Sequence, residues 1–194
     1  KKIKMRKKTS LFLLSFSIII AAQEKPRDQE VKNSIFNVQA GFAGIWLNNE
    51  AKIVNNLVLK SEVGLSAGLW GGDYYDNTGF LMTPLLHLEP RYYYNINRRI
   101  SKQKSINNNS GNFFSLKTTF HPNWFVISNY DNLKIISDFS VIPSYGFRRK
   151  ISQHLNYEFS AGLGYRHLYL KDSGYNSNKS EIAPDLTLRL GYTF

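Results

Sequence analysis

The chain has 194 residues, no cysteine, a mean hydropathy of −0.34 and a formal net charge of +11. This length predicts a single domain, and the lack of cysteine excludes a disulfide framework and any thiolate zinc site. Lys1, Lys2, Lys4, Arg6, Lys7 and Lys8 all precede the first acid, Glu24, and taking those six from +11 leaves +5, a charge that makes no case for nucleic acid as a partner.

The basic residues 1–8 are followed by an apolar run, Leu11 to Ala22, and then by Ala21-Ala22-Gln23 before a charged stretch. That is the n-region, h-region and cleavage-site order of a secretory signal peptide. The apolar run is twelve residues long, whereas a membrane-spanning helix needs roughly 20. The expectation is a cleavable signal peptide over 1–22, a flexible segment over 23–33 and a folded domain over 34–194. An uncut N-terminal anchor is the alternative, and Ile20 leaves the exact cleavage bond open.

From Ser34 onward the hydrophobic pattern has the period of a strand and not of a helix. Ile35–Leu47 sets Phe36, Val38, Phe42 and Trp46 against Asn37, Gln39, Gly41 and Ala43. Leu57–Trp70 sets Leu57, Leu59, Val63, Leu65 and Leu69 against Lys60, Glu62, Gly64, Ser66 and Gly68. Phe80–Tyr94 sets Phe80, Met82, Pro84, Leu86, Leu88 and Tyr92 against Thr83, His87, Glu89 and Arg91. Further on, Ile135, Phe139, Val141, Pro143, Tyr145 and Phe147 oppose Asp138, Ser140, Gly146 and Arg148, and Leu155, Tyr157, Phe159, Ala161, Leu163 and Tyr165 oppose Asn156, Glu158, Ser160, Gly162, Gly164 and Arg166. The last segment sets Ile182, Pro184, Leu186, Leu188, Leu190, Tyr192 and Phe194 against Ala183, Asp185, Thr187, Arg189, Gly191 and Thr193.

Alternation alone also fits a soluble sandwich or a lipocalin-like binder. The segments exceed the usual soluble strand of about 5–6 residues and suit tilted membrane strands of roughly 9–11 residues with extensions. Aromatics gather at their ends (Tyr74-Tyr75, Tyr92-Tyr93-Tyr94, Trp124-Phe125, Tyr192 and Phe194) as in interfacial girdles. The fold class predicted is all-β: a transmembrane antiparallel up-and-down β-barrel. Pro84, Pro90, Pro143 and Pro184 then belong at bulges or strand ends. Seven strands are legible, over 35–47, 57–70, 80–95, 113–127, 133–148, 154–170 and 181–194, but bacterial single-chain barrels have an even number. Eight is the expectation. The missing strand comes either from a split at His121-Pro122-Asn123, which makes 96–112 a long outside loop, or from part of 23–34.

At Leu186–Phe194 (LTLRLGYTF) the sequence resembles the C-terminal signal of bacterial outer-membrane barrels, in which alternating apolar residues lead to an aromatic and then a terminal Phe. Leu186, Leu188, Leu190, Tyr192 and Phe194 match that pattern. The wider chain, over 34–194, is similar to the small, porin-like outer-membrane β-barrel domain proteins. The resemblance implies a Gram-negative outer-membrane location, recognition by the barrel-assembly machinery, and outer-membrane lipid and lipopolysaccharide as surroundings, with a monomer the expected state.

The polar faces predict a lumen ion-pair network of Lys60, Glu62, His87, Glu89, Arg91, Lys117, Asp138, Arg148, Glu158, Arg166, Asp185 and Arg189, because an unpaired charge away from water is costly. The function expected is structural, or the presentation of loops 71–79 and 171–180. Two alternatives remain: a barrel enzyme acting on outer-membrane lipid, for which His167, Ser173 and Glu181 are the best material, and a narrow polar pore. His87, His121, His154 and His167 show no metal-ligand spacing, and Gly162-Leu163-Gly164 opens no helix as a phosphate loop must, so no cofactor is expected. The basic stretch Arg98, Arg99, Lys102 and Lys104 would meet lipopolysaccharide phosphates if it lies outside, and periplasmic partners if inside.

Overall fold

The computed structural model describes residues 30–70, 78–130, 133 and 135–194. The predicted signal peptide, residues 23–29 and most of loop 71–79 lie outside the described residues. The strands are β1 (Ser34–Gly41), β2 (Gly44–Val54), β3 (Leu57–Trp70), β4 (Gly79–Tyr92), β5 (Asn112–His121), β6 (Ile127–Ser128), β7 (Asp138–Lys150), β8 (Leu155–Leu168) and β9 (Lys179–Thr193), with one short helix, α1 (Ile96–Ser101). No helix among the described residues is long and apolar enough to cross a membrane, which says nothing about crossing by strands.

Every pairing is antiparallel, and β1 pairs with β9 (Val38 opposite Tyr192), so the sheet closes into an eight-stranded barrel. Closure leaves the barrel wall no long free edge. A side-chain chain reinforces the seam. The Thr193 hydroxyl donates to Asn37 Oδ1 at 2.6 Å, and the Asn156 amide donates to Thr193 Oγ1 at 2.9 Å.

The eighth strand is not where either expectation put it. The segment expected to be a single strand over 35–47 is a hairpin, turning through Phe42 and Ala43 with Gly41 opposite Gly44. Gly44 makes this possible. Its φ is +141°, and a Cβ there would sit 2.0 Å from the Leu65 carbonyl oxygen, so only glycine fits. The turn shifts the parity by one: Ile45 and Leu47 face out, whereas Trp46, Asn48 and Glu50 face in. Trp46 therefore belongs to the lumen and not to the apolar face. The chain does not reverse at His121-Pro122-Asn123. β5 and β6 both run antiparallel to β4, so they act as one interrupted strand.

The prolines lie within strands, at places where one neighbouring ladder is interrupted. Pro84 sits where β4 passes between the ends of β5 and β6, and Pro90 falls in the gap between the Leu88–Thr118 and Arg91–Ser115 pairs. Pro143 falls between Val141–Tyr165 and Ser144–Gly162, and Pro184 lies above the short reach of β1 along β9. A residue without an N–H is tolerated where no partner strand asks for one.

The two faces of the sheet are inverted relative to a water-soluble protein. Leu69, Leu163, Tyr165, Ile182, Leu186 and Leu190 are all more than half exposed on the outside, while Lys60, Glu89, Arg91, Arg148 and Glu158 are buried within. This is the opposite of what the sandwich or lipocalin-like alternative requires. The apolar cluster that does exist lies at the end carrying Ser34 and Phe194. There Val31, Val58, Tyr93, Ile96, Ile106 and Phe113 pack together beneath the lumen. The connection 93–111 thus closes the end of the barrel that carries Ser34 and Phe194, and is not a loop at the opposite end.

Gly44→Ala should destabilise the barrel by about 1–3 kcal/mol, the scale of forcing a side chain into a disallowed backbone conformation. Equilibrium urea unfolding followed by fluorescence would show a lower midpoint, and an unchanged midpoint would mean that the hairpin can be redrawn.

Candidate functional site

The alternation that places large apolar residues outside also brings the charges of seven strands into one lumen, and an eight-stranded barrel is only wide enough for side chains to fill it. At its centre lie three carboxylates and two guanidiniums. Arg91 on β4 donates through Nη2 to Glu158 Oε1 at 2.6 Å and to Glu89 Oε2 at 2.6 Å, and through Nη1 to Glu50 Oε1 at 3.0 Å. Arg148 on β7 reaches two of these acids, with Nη2 2.6 Å from Glu50 Oε1 and 2.6 Å from Glu158 Oε2. All of these side chains are essentially inaccessible to solvent.

Below this cluster the apolar cap adds further hydrogen bonds. The Tyr93 hydroxyl and the Asn109 amide both donate to Glu50 Oε2, at 3.2 and 2.9 Å, and Phe113 lies under the Arg91 guanidinium, 4.3 Å from ring centroid to Cζ. Burial and the facing Glu50 carboxylate raise the Tyr93 phenol above its ordinary value, so it remains a donor. Above the cluster, Lys60 bridges Glu62 at 2.7 Å and Gln39 at 3.0 Å. Arg189 also holds Glu62 at 2.7 Å and stacks on Trp46 at 3.7 Å. Four carboxylates (Glu50, Glu62, Glu89, Glu158) thus face four cations (Lys60, Arg91, Arg148, Arg189). Balanced charge with bidentate arginine geometry is what a low-dielectric interior requires.

The other half of the lumen is open. A cup of about 290 Å³ extends upward from Trp46, Glu62 and Arg189 and is walled by His87, Lys117, Asp138, Arg166 and Asp185. Its pairs are separate from one another: Lys117 Nζ to Asp185 at 2.5 Å, with Ser160 and Thr187 each at 2.8 Å, and His121 to Asp138 at 3.2 Å. Trp46 Nε1, Glu62 Oε1 and Arg189 Nε at the floor have no protein partner among the described residues.

The twelve residues predicted for the lumen all line it, but they form separate groups. Lys60, Glu62, Glu89, Arg91, Arg148, Glu158 and Arg189 share one network, to which His87 joins through Glu89 at 3.3 Å. Lys117 with Asp185, and Asp138 with His121, stand apart. Arg166 pairs instead with Glu181 near the rim. The sequence reading missed Glu50, one of the two acids that both arginines share, because it lies on the unrecognised strand β2. Tyr93 and Asn109 were missed because nothing local marks a connecting segment that folds back under a barrel.

His167, Ser173 and Glu181 are not brought together as a catalytic set. His167 Nδ1 lies 2.8 Å from Ser180 Oγ on the outer face, and its ring packs edge-on to Tyr169. Glu181 pairs with Arg166 and Lys179. Ser173 lies in the short 3₁₀ turn Leu170–Ser173 and lines a different pocket, with Phe125 and Leu133. Among the described residues no group of three or more His, Asp and Glu is placed to hold a metal. No family model, curated protein or solved structure matches the chain, so the class it can be assigned is that of the fold, a closed eight-stranded antiparallel barrel with a charged interior.

Glu158→Ala should cost about 3–5 kcal/mol, because it strips a shared carboxylate from two buried guanidiniums. Asp138→Ala, whose partner His121 is about a quarter exposed, should cost less than about 1 kcal/mol. Urea unfolding of both variants beside the parent would check the contrast, and equal losses would show that the central cluster is not the structural keystone.

Proposed function

We propose that this chain is an exported outer-membrane β-barrel of structural or surface-loop-presenting role, with a lumen that does not conduct. The observation that carries the reading is the inverted sheet: an apolar outer band around a charged interior. Exposed to water, that band would far exceed the apolar patch of a few hundred Å² usual on a soluble monomer; facing hydrocarbon, it satisfies every side chain. Aromatic residues at both rims support the same orientation, with Tyr94, Phe114 and Tyr145 near the capped end and Phe80, Phe139 and Tyr165 near the other. The terminal residues Leu186, Leu188, Leu190, Tyr192 and Phe194 all point outward, as a signal read by barrel-assembly machinery would need to.

With Ser34 and Phe194 on the periplasmic side, the apolar cap lies there too, and the cup opens outward at the end where β3 gives way to β4 and β8 to β9. Lipopolysaccharide then surrounds the upper rim, and the protein acts as a monomer. The pore alternative is disfavoured by the cluster of Glu50, Arg91, Arg148 and Glu158, which spans the lumen above a packed cap. Among the described residues the lipid-enzyme alternative keeps the exposed His167–Ser180 contact, with no acid there to orient the ring.

Fractionation followed by electrophoresis with and without boiling tests the reading. The protein should enter the outer-membrane fraction, resist SDS when cold and change mobility on heating. A soluble periplasmic protein with one mobility would overturn it. In planar bilayers the purified barrel should give no steady conductance, and stepwise channels would revive the pore. Deleting the gene, or substituting His167→Ala, should leave the lipid mass spectrum unchanged, and a lost or gained acyl chain would revive the enzyme.

A further inference from the structure

The connection 93–111 gathers one set of charges that the lumen network does not use. Arg98 and Arg99 on α1, Lys102 and Lys104 just after it, and Arg149 near the end of β7 surround a cleft of about 250 Å³. None of the five has an ion-pair partner among the described residues, although the lumen a few residues away is fully charge-matched. The fold holds two of these cations in place despite their repulsion. Arg99 is pinned through Nε and Nη2 to the Ser105 carbonyl at 3.2 and 2.7 Å, and Arg149 through Nη1 to the Gly111 carbonyl at 2.9 Å. Partial burial and the neighbouring Arg149 lower the Arg99 guanidinium below its ordinary value, yet a guanidinium stays charged at neutral pH. Packing cations this way without an acid is unfavourable unless an anion joins them.

The cleft is also tied to the aromatic rim. Asn112, which accepts from Arg149, donates through its amide to the hydroxyls of Tyr94 and Tyr145 at 3.0 and 3.1 Å. Those two rings pack with Phe114 on the outer surface. In a membrane barrel such a belt sits at headgroup level, so an anion carried by a lipid reaches the cleft while its acyl chains lie along the belt.

We infer that the cleft formed by Arg98, Arg99, Lys102, Lys104 and Arg149 binds the phosphate of an anionic phospholipid headgroup in the leaflet at the capped end of the barrel. This rests on the membrane reading above. The Arg98 guanidinium and the free Nη1 edge of Arg99 suit a phosphodiester, Arg149 adds its charge beside them, and the lysines at the mouth add attraction to an anionic surface.

Native mass spectrometry of the full barrel, released from micelles containing equal phosphatidylglycerol and phosphatidylcholine, tests the inference. The parent should retain phosphatidylglycerol preferentially. The double variant R99Q/R149Q should lose it about 30-fold, taking about 1 kcal/mol for each basic residue near an anionic surface. Should that variant not fold, K102Q/K104Q, confined to the exposed mouth, should weaken retention in the same direction by a smaller factor. Equal retention of both lipids by the parent, or unchanged preference in the variants, overturns the inference. So does displacement of the lipid by millimolar inorganic phosphate, which would assign the cleft to a soluble anion. Failure of the membrane reading looks different: a protein that lacks cold resistance to SDS and is recovered as a soluble species.

Discussion

Glu50 and Glu158, each shared between Arg91 and Arg148, are the contact on which the rest of the architecture depends. A closed eight-stranded sheet must fill a narrow interior with the inward side chain of every second residue. In this chain those positions are largely polar, and at the centre of the lumen they are charged. Each buried ion would carry a desolvation cost of several kcal/mol if left alone. The structure offsets it by letting every central carboxylate meet at least one guanidinium or ammonium and by letting both arginines fork across two acids. The contributing strands come from opposite sides of the barrel, so the cluster acts as a set of spokes that fixes the wall.

The two halves of the lumen follow from what covers those spokes. Toward the end that carries Ser34 and Phe194, Tyr93, Ile96, Ile106 and Phe113 exclude water and add neutral hydrogen-bond donors to Glu50. At the other end the ion pairs become separate and partly exposed, and the interior widens into a cup. A barrel sealed at one end and open at the other is suited to present a surface and poorly suited to pass a solute. The proposal of a lumen that does not conduct therefore rests on this asymmetry, whereas the membrane setting rests on the inverted sheet.

The same economy governs the wall. The β1–β2 hairpin is short because Gly44 turns the chain early, and above it β9 runs without a β1 partner. Pro184 occupies that stretch, while Pro84, Pro90 and Pro143 fall in other interruptions of the ladders. The missing N–H groups and the missing pairings coincide.

The alternation of Leu186, Leu188, Leu190 and Tyr192 with Thr187, Arg189 and Gly191 was enough to predict strands, an apolar face and a polar face, because side-chain direction in a strand has period two whatever surrounds it. The same logic identified the lumen residues from Lys60 to Arg189. It could not find β2, because a two-residue turn at Phe42-Ala43 hides within a run of apolar residues and reverses the parity beyond it. Glu50 was lost with that strand, and so was the inward direction of Trp46. Only the tertiary structure decided which charges meet across the lumen, and that the 93–111 segment folds beneath the barrel. Those outcomes depend on closure, which brings together residues as distant in the chain as Glu50 and Glu158 and leaves no trace in local pattern.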